Sequence, residues 1–305
     1  MKKIKLLIAS LMAIALWGSA ANPTFNVATY NLRQQNGVDN AAGNGWERRA
    51  PFVAQLIQFH DFDIFGTQEG FKNQLEDLKK AMPGYDYIGA GRDDGKEGGE
   101  HSAIFYRTDL FDVIDHGDFW LSETPDRPGM GWDAACVRIC TWGKFRHKPS
   151  GREFLFFNLH MDHVGKTARV ESAKLIKRKI DEFGSDLPTF LTGDFNVDQF
   201  SPSYAAITEG GKLNDSHETA DFVYQLNGTF NNYRTDVFSE SRIDHIFVTP
   251  NVKVFKYGVL TDTYRTPEEA TEQSTTDAPA EIKIHRFKAR TPSDHFPVKT
   301  SVELR

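Results

Sequence analysis

A layered α/β or α+β fold is predicted by two observations on the sequence. Short apolar runs of strand length repeatedly end in Asn, Glu, His or Asp at a turn, and between them lie segments with helical spacing. Strands and helices do not alternate strictly, which argues against a purely parallel βαβ sheet.

The elements follow in chain order. Phe25–Asn31 reads as a first strand with Asn31 at its end. Phe52, Val53, Leu56 and Ile57 recur with helical spacing. A short strand over Asp63–Gly66 runs into Thr67-Gln68-Glu69, and Leu75, Leu78 and Met82 mark a helix stopped by Pro83-Gly84. Residues 91–101 form a polar, glycine-rich loop, and Ser102–Arg107 a strand. Phe154–His160 is a strongly apolar strand, and Ala173, Ile176, Ile180 and Phe183 mark a long helix. Leu187–Leu191 leads into Thr192-Gly193-Asp194-Phe195-Asn196. After a mostly polar stretch comes a strand over Ile243–Val248. A polar segment, 262–280, precedes a final strand expected to contain Asp294-His295.

The first twenty residues read as a signal peptide. Lys2, Lys3 and Lys5 form a basic start, Leu6–Trp17 an apolar core, and Gly18-Ser19-Ala20 a cleavage site. The run is too short to span a bilayer, and a periplasmic or secreted protein is expected. No further apolar segment of membrane length follows. The formal net charge is −6 and becomes more acidic once the signal lysines are removed. That argues against a long non-specific nucleic-acid footprint, though not against a local basic pocket for one phosphate. Cys136 and Cys140 flank an extended-looking Val137-Arg138-Ile139. Four residues of strand separate them by roughly 13 Å, too far for a disulfide.

The polar groups at the strand ends suggest one cleft with oxygen-rich chemistry. Asp194 and Asn196 lie two apart, so in extended geometry both face the same way. Asp194 could take a proton from water while Asn196 orients water or phosphate; the plain alternative is an Asx turn closing a strand. Glu69 is the candidate anchor for a hard divalent cation, with Asn31 and Asp294 as further oxygen contacts. Alone, Glu69 would read as a carboxylate at a helix start. A carboxylate beside an imidazole orients the ring and favours its charged form, as Asp244 would do for His295. His245 reads as structural. His160 is expected to donate to phosphate; with Asp162 and His163 it could instead form a zinc set, which lacks matching thiols or an HExxH spacing. Arg33, Arg92, His101 and Arg138 are candidate phosphate grips, each with the alternative of an ordinary ion pair. No Ser-His or Cys-His nucleophile pair stands out, so metal-assisted hydrolysis is the chemistry these groups fit.

Taken together, Tyr30-Asn31, Gln68-Glu69, Asn158-Leu159-His160, Gly193-Asp194-Phe195-Asn196, Ile243-Asp244 and Ser293-Asp294-His295 stand in the order of the endonuclease/exonuclease/phosphatase superfamily. The chain resembles this superfamily over nearly all of residues 23–305, read as one domain. Gly91-Arg92-Asp93-Asp94-Gly95, Phe119-Trp120-Leu121-Ser122 and Gly131-Trp132-Asp133 look like an exported bacterial branch. The resemblance implies a four-layer sandwich, two mainly antiparallel sheets flanked by helices, and Mg²⁺ or Mn²⁺. It implies Glu69 as metal ligand with Asn31 and Asp294 beside it, and Asp194 as the group that orients or deprotonates water. Asn196 and His160 would hold phosphate, and His295, oriented by Asp244, would stabilise the transition state. Arg33 stands where the DNA-repair members carry an acid, which weakens a second-metal site there and adds a phosphate grip. The implied activity is phosphoester hydrolysis by in-line water attack. The acidic balance favours a compact phosphorylated sugar, glycan or lipid headgroup. The alternatives are a secreted Mg-dependent nuclease and, in another class, a non-catalytic phosphate-ligand binding protein.

Overall fold

In the computed structural model, residues 22–184, 186–273, 279 and 281–305 are described; the expected signal peptide lies outside them. The elements are β1 (Thr24–Asn31), α1 (Gly37–Ala41), α2 (Trp46–Phe59), β2 (Ile64–Gln68), α3 (Lys72–Ala81), β3 (Tyr85–Ile88) and β4 (Ile104–Arg107). Then come β5 (Phe111–Trp120), β6 (Ile139–His147), β7 (Glu153–His160), α4 (Lys166–Gly184), β8 (Thr189–Asp194) and α5 (Pro202–Thr208). The chain continues through β9 (Asn214–Asp215), α6 (Ser216–Thr219), β10 (Phe222–Tyr224), β11 (Asp244–Val248) and β12 (Val252–Val259). It closes with β13 (Tyr264–Gln273), β14 (Ile284–Arg290) and β15 (Val298–Leu304).

Two large sheets result, ordered β10-β12-β15-β1-β2-β4-β3 and β5-β6-β7-β8-β11-β9. Only β1–β2, β10–β12 and β7–β8 pair in parallel; the other pairings in these sheets are antiparallel. Alternation along the strands builds the layers. Phe25 and Val27 of β1 meet Phe154 and Phe156 of β7 in the cluster between the sheets. Ala28 and Tyr30 point the other way, onto Val53 and Ile57 of α2 and Leu75 and Leu78 of α3. Leu155 and Phe157 likewise face Ala173, Ile176 and Ile180 of α4. The order is therefore helices, sheet, sheet, helices, as expected.

A buried polar cluster centred on Asn158 sits between the sheets near the strand ends. Asn158 donates to the carbonyls of Thr67 and Ala103 at 2.8 and 3.0 Å, and accepts from Gln68 Nε2 at 2.7 Å and Thr192 Oγ1 at 3.0 Å. Gly66 leaves room for it, since a Cβ there would lie 2.1 Å from Asn158 Oδ1. The two sheets are thus pinned together beside the strand ends that carry Asn31, Glu69, His160 and Asp194.

Two expectations need correction. Asp294-His295 is not inside a strand but in the loop between β14 and β15. Pro297 has no N–H to give a ladder, and β15 starts only after it. Part of the segment 262–280 is strand, for β13 pairs with β14 in a separate two-stranded sheet. Cys136 and Cys140 are both free, as their spacing required. Among the described residues, no helix is long and apolar enough to cross a membrane.

Candidate active site

Register brings the site together. Asn31 is level with Gln68 on β2, His160 with Asp194 on β8, and Asp194 with Asp244 on β11. Beyond three of these strand ends the backbone turns through the left-handed region at Arg33, Glu69 and Asn196 (φ 56°, 63° and 51°). Such conformations cost energy in non-glycine residues and concentrate at functional sites. The resulting cleft has a volume of about 600 Å³. Its walls include Glu69, Arg33, His160, Asp194, Asn196, Asp294 and His295, together with Arg92 and Arg138.

At its floor Asp194 is fixed through both carboxylate oxygens. The backbone N–H of Asn196 donates to Oδ1 at 2.9 Å, and Asn31 Nδ2 donates to Oδ2 at 3.0 Å. The same Asn31 nitrogen donates to Glu69 Oε1 at 3.1 Å, while its Oδ1 accepts the Arg33 N–H at 2.9 Å. Asn31 therefore ties the two carboxylates together, and its own oxygen is already engaged. The Gln34 N–H holds Glu69 Oε2 at 3.1 Å. Burial, then neighbouring Asp244, pushes Asp194 up to about 7, against the opposing pull of His295. Burial also raises Asp294, with Glu69 adding to it and His295 and Arg33 opposing.

His295 Nδ1 lies 2.9 Å from Asp244 Oδ2, and its Nε2 is 3.8 Å from Asp194 Oδ2. Burial alone would favour the neutral ring; Asp244, then Asp194 and Asp294, outweigh it and hold the imidazole well above its ordinary range. His160 is the opposite case. Burial and the charges of Arg138 and Arg92 push it well below, although its Nε2 is 3.5 Å from the same Asp194 oxygen. Asn196 Nδ2 lies 3.0 Å from His160 Nε2 and donates to the Met161 carbonyl at 2.9 Å.

The remaining expected grips fall into different places. Arg33 is paired with Asp39 at 2.8 Å and lies 3.6 Å from Asp294, so part of its charge is spent on carboxylates. Arg92 meets Glu100 at 2.5 Å. Buried Arg138 meets Asp162 at 3.4 Å and His163 Nδ1 at 3.0 Å. His101 does not line the cleft; its backbone bridges Gly70 and Gly91 behind the wall. His245 is structural, between Asp215 and the Val197 carbonyl.

Sequence reasoning missed Glu100 and Phe230. Glu100 sat in a glycine-rich polar loop with no periodicity to mark it. Phe230 lay in a polar stretch, yet it is 42% exposed on the cleft and sets its ring edge against His295, 5.1 Å between centroids.

The donor set fits a hard divalent cation. Glu69, Asp194 and His295 offer ligand atoms within 4.8 Å of one another. The ring, paired with Asp244, is a poor ligand in its charged form, which leaves oxygen donors, with Asp294 close by. Asp194 and Asp294, raised by burial and then by neighbouring carboxylates, are groups a cation would relieve. Cys136, Asp162 and His163 also come together. There both Asp162 oxygens accept backbone N–H groups and His163 Nδ1 faces Arg138, so those donors are committed and the zinc alternative gains nothing.

Buried acids, a histidine paired with Asp244 and arginines lining one cleft of a two-sheet sandwich are the equipment of a phosphoester hydrolase. The family model for the endonuclease/exonuclease/phosphatase family matches residues 28–295, and the chain belongs to that family. It is 60% identical to the mannosyl-6-phosphatase Bt3783 of Bacteroides thetaiotaomicron, with TM-score 0.85, over 91% of this chain and 99% of that one. A solved structure of an endonuclease/exonuclease/phosphatase family protein from Bacteroides thetaiotaomicron is 59% identical, TM-score 0.86, over 93% of this chain and 99% of that one. An uncharacterised protein of Acanthamoeba polyphaga mimivirus, L388, is 30% identical over 70% of this chain and 82% of its own length.

Proposed function

We propose that this protein is an exported phosphatase that removes phosphate from a phosphorylated sugar, with mannose 6-phosphate as the first substrate to test. The observation that carries this reading is the 60% identity, over 91% of the chain, to a mannosyl-6-phosphatase. The 600 Å³ cleft agrees, being of a size for a compact ester. The acidic net charge of −6 offers no long basic track for a polynucleotide. Export rests on the signal-like order of Lys2-Lys3, Leu6–Trp17 and Gly18-Ser19-Ala20.

In the proposed reaction Asp194 accepts a proton from the attacking water. Its two oxygens are held by Asn31 and the Asn196 N–H, so the carboxylate is presented in one orientation. The water oxygen bonds to phosphorus as the bond from phosphorus to the sugar oxygen breaks in line, and that oxygen leaves as the hydroxyl with a proton taken up from solvent. His295, charged and oriented by Asp244, stabilises the negative charge that builds on the phosphoryl group. Mg²⁺ or Mn²⁺ would be held by Glu69, with Asn31 and Asp294 beside it; when bound it supplies charge neutralisation for the phosphoryl oxygens. Arg92 and Arg138 hold further phosphate oxygens. Phe230 offers an apolar face for the sugar ring beside the reacting group.

Phosphate release from a panel of sugar phosphates, beside a diester panel and plasmid DNA, tests this reading. Release from mannose 6-phosphate with DNA left intact is the expected result. Cleavage of DNA without sugar-phosphate turnover would favour a nuclease.

A further inference from the structure

Phe230 and Asn232 line the cleft, and their segment is bonded to the one that carries Asp294 and His295. Phe230 and His295 form an antiparallel bridge. The Asp294 carbonyl accepts the N–H groups of Asn231 and Asn232 at 2.8 and 3.1 Å, and the Phe296 N–H donates to the Thr229 carbonyl at 2.6 Å. Between these bonds the chain takes an unfavourable path. Asn232 and Tyr233 have φ of 52° and 58°, the one consecutive pair of left-handed non-glycine residues among the described residues. Asparagine tolerates that region and tyrosine does so poorly. Strain of this kind persists where the surroundings over-determine it, and it gathers at functional sites. Here Asn231 Oδ1 accepts the Tyr233 N–H at 2.8 Å and the Thr291 hydroxyl at 3.1 Å. The Tyr233 ring lies against the buried Arg49 guanidinium, 5.6 Å from it to the ring centroid.

The two neighbouring asparagines are used differently. Asn231 is buried and spends its side-chain oxygen on the turn. Asn232 is exposed on the cleft, and the turn is closed without its amide. That amide offers both donors and an acceptor, two residues from the Phe230 ring. A phosphate oxygen only accepts, and Arg92 and Arg138 already serve it. A sugar hydroxyl both donates and accepts, and a sugar ring also has an apolar face. An aromatic side chain beside a free amide matches both features of a pyranose. We propose that Asn232 is a specificity-determining residue whose amide reads a hydroxyl of the sugar lying on Phe230, with the left-handed turn holding it in place. The inference rests on the sugar-phosphate reading above and names the residue that recognises the sugar. A site that bonds a hydroxyl discriminates against esters lacking it.

Steady-state kinetics on mannose 6-phosphate and on methyl phosphate, which carries no sugar hydroxyl, test it with two variants. Asn232→Gly removes the amide and adopts the left-handed φ freely. Asn232→Ala removes the amide and puts a residue less tolerant of that φ in its place. Both are expected to lower the ratio of kcat/KM for mannose 6-phosphate to that for methyl phosphate by about five- to tenfold, the scale of one hydrogen bond. Were Asn232 needed only for the turn, Asn232→Gly would match the wild type and Asn232→Ala alone would lose activity, on both substrates alike. An unchanged ratio in Asn232→Gly would therefore overturn the proposal. If Asn232→Ala does not fold, Asn232→Gly still decides. A wild type that cleaves methyl phosphate and no sugar phosphate would overturn the sugar reading and this assignment together. A wild type active on mannose 6-phosphate with an unchanged ratio in Asn232→Gly would overturn the assignment alone.

Discussion

His160 and His295 present the same chemical group to the same oxygen. Their Nε2 atoms lie 3.5 and 3.8 Å from Asp194 Oδ2, and both rings are buried. Yet they are driven in opposite directions. His295 has Asp244 at 2.9 Å behind it, whereas behind His160 the nearest carboxylate oxygen, of Glu100, is 3.9 Å away and Arg138 and Arg92 are among its neighbours. Burial penalises the charge in both; what differs is the sign of the partner. The pair shows that an imidazole beside a carboxylate at an active site is not charged by that neighbour alone. The group behind the ring decides, so a ring favoured in its charged form and one favoured in its neutral form can share one wall.

The largest expected effect falls on the acid between them. Asp194→Asn removes the proposed base and is expected to lower kcat by about 10³–10⁴, near the upper end for general-base loss; a phosphate-release assay reads it directly. Next comes His295→Gln, expected to cost about 10²–10³ in kcat, the scale of losing one preorganised charge stabiliser. His160→Gln is expected to cost tenfold or so, and an equal loss at the two positions would break the comparison.

Asp244→Asn sharpens it through pH. The carboxylate raises the His295 pKa, and in the proposed reaction the protonated ring is the active form. Activity is therefore present at pH below that pKa and lost above it. Removing the charge lowers the pKa, so the alkaline limb of kcat/KM is expected to move to lower pH. The same limb is expected to stay in place for variants behind His160. A pH profile with an unmoved limb in Asp244→Asn would show that His295 is not the group titrating.

Smaller effects are expected at the cleft rim. Phe230→Ala is expected to reduce kcat/KM for mannose 6-phosphate by about tenfold, the loss of roughly 1.4 kcal/mol of apolar contact with the sugar ring. Methyl phosphate, which has no ring, is expected to lose less than twofold.

The legible parts of the molecule were those in which burial and period agreed. β1, β2, β7, β8 and β11 are buried nearly throughout; the first four run into polar residues at turns and β11 starts with one, so Asn31, Glu69, His160, Asp194 and Asp244 could be placed from local pattern. β5 and β14 carry mostly exposed or half-exposed residues, which gives the hydrophobic pattern little to register. Asp294 and His295 could be named but not placed, because their loop is held by distant partners. Ser293 Oγ bonds the Asn31 carbonyl at 2.7 Å, and Arg49 ties the Leu32 and Pro292 carbonyls together at 2.8 and 2.9 Å. His101 looked like a phosphate grip as a positive group in a polar loop, but it is not among the residues that line the cleft. Glu100 and Phe230 gain meaning from His160 and His295, residues far from them in sequence, and no local signal could have marked them.

Phosphate release from mannose 6-phosphate by the purified protein, with and without a chelator and beside Asp194→Asn, tests the central claim most directly. The expected result is turnover with Mg²⁺ or Mn²⁺, loss on chelation, recovery when the ion is returned, and a collapse of about 10³ or more in the variant. Turnover that survives both the chelator and Asp194→Asn would contradict it.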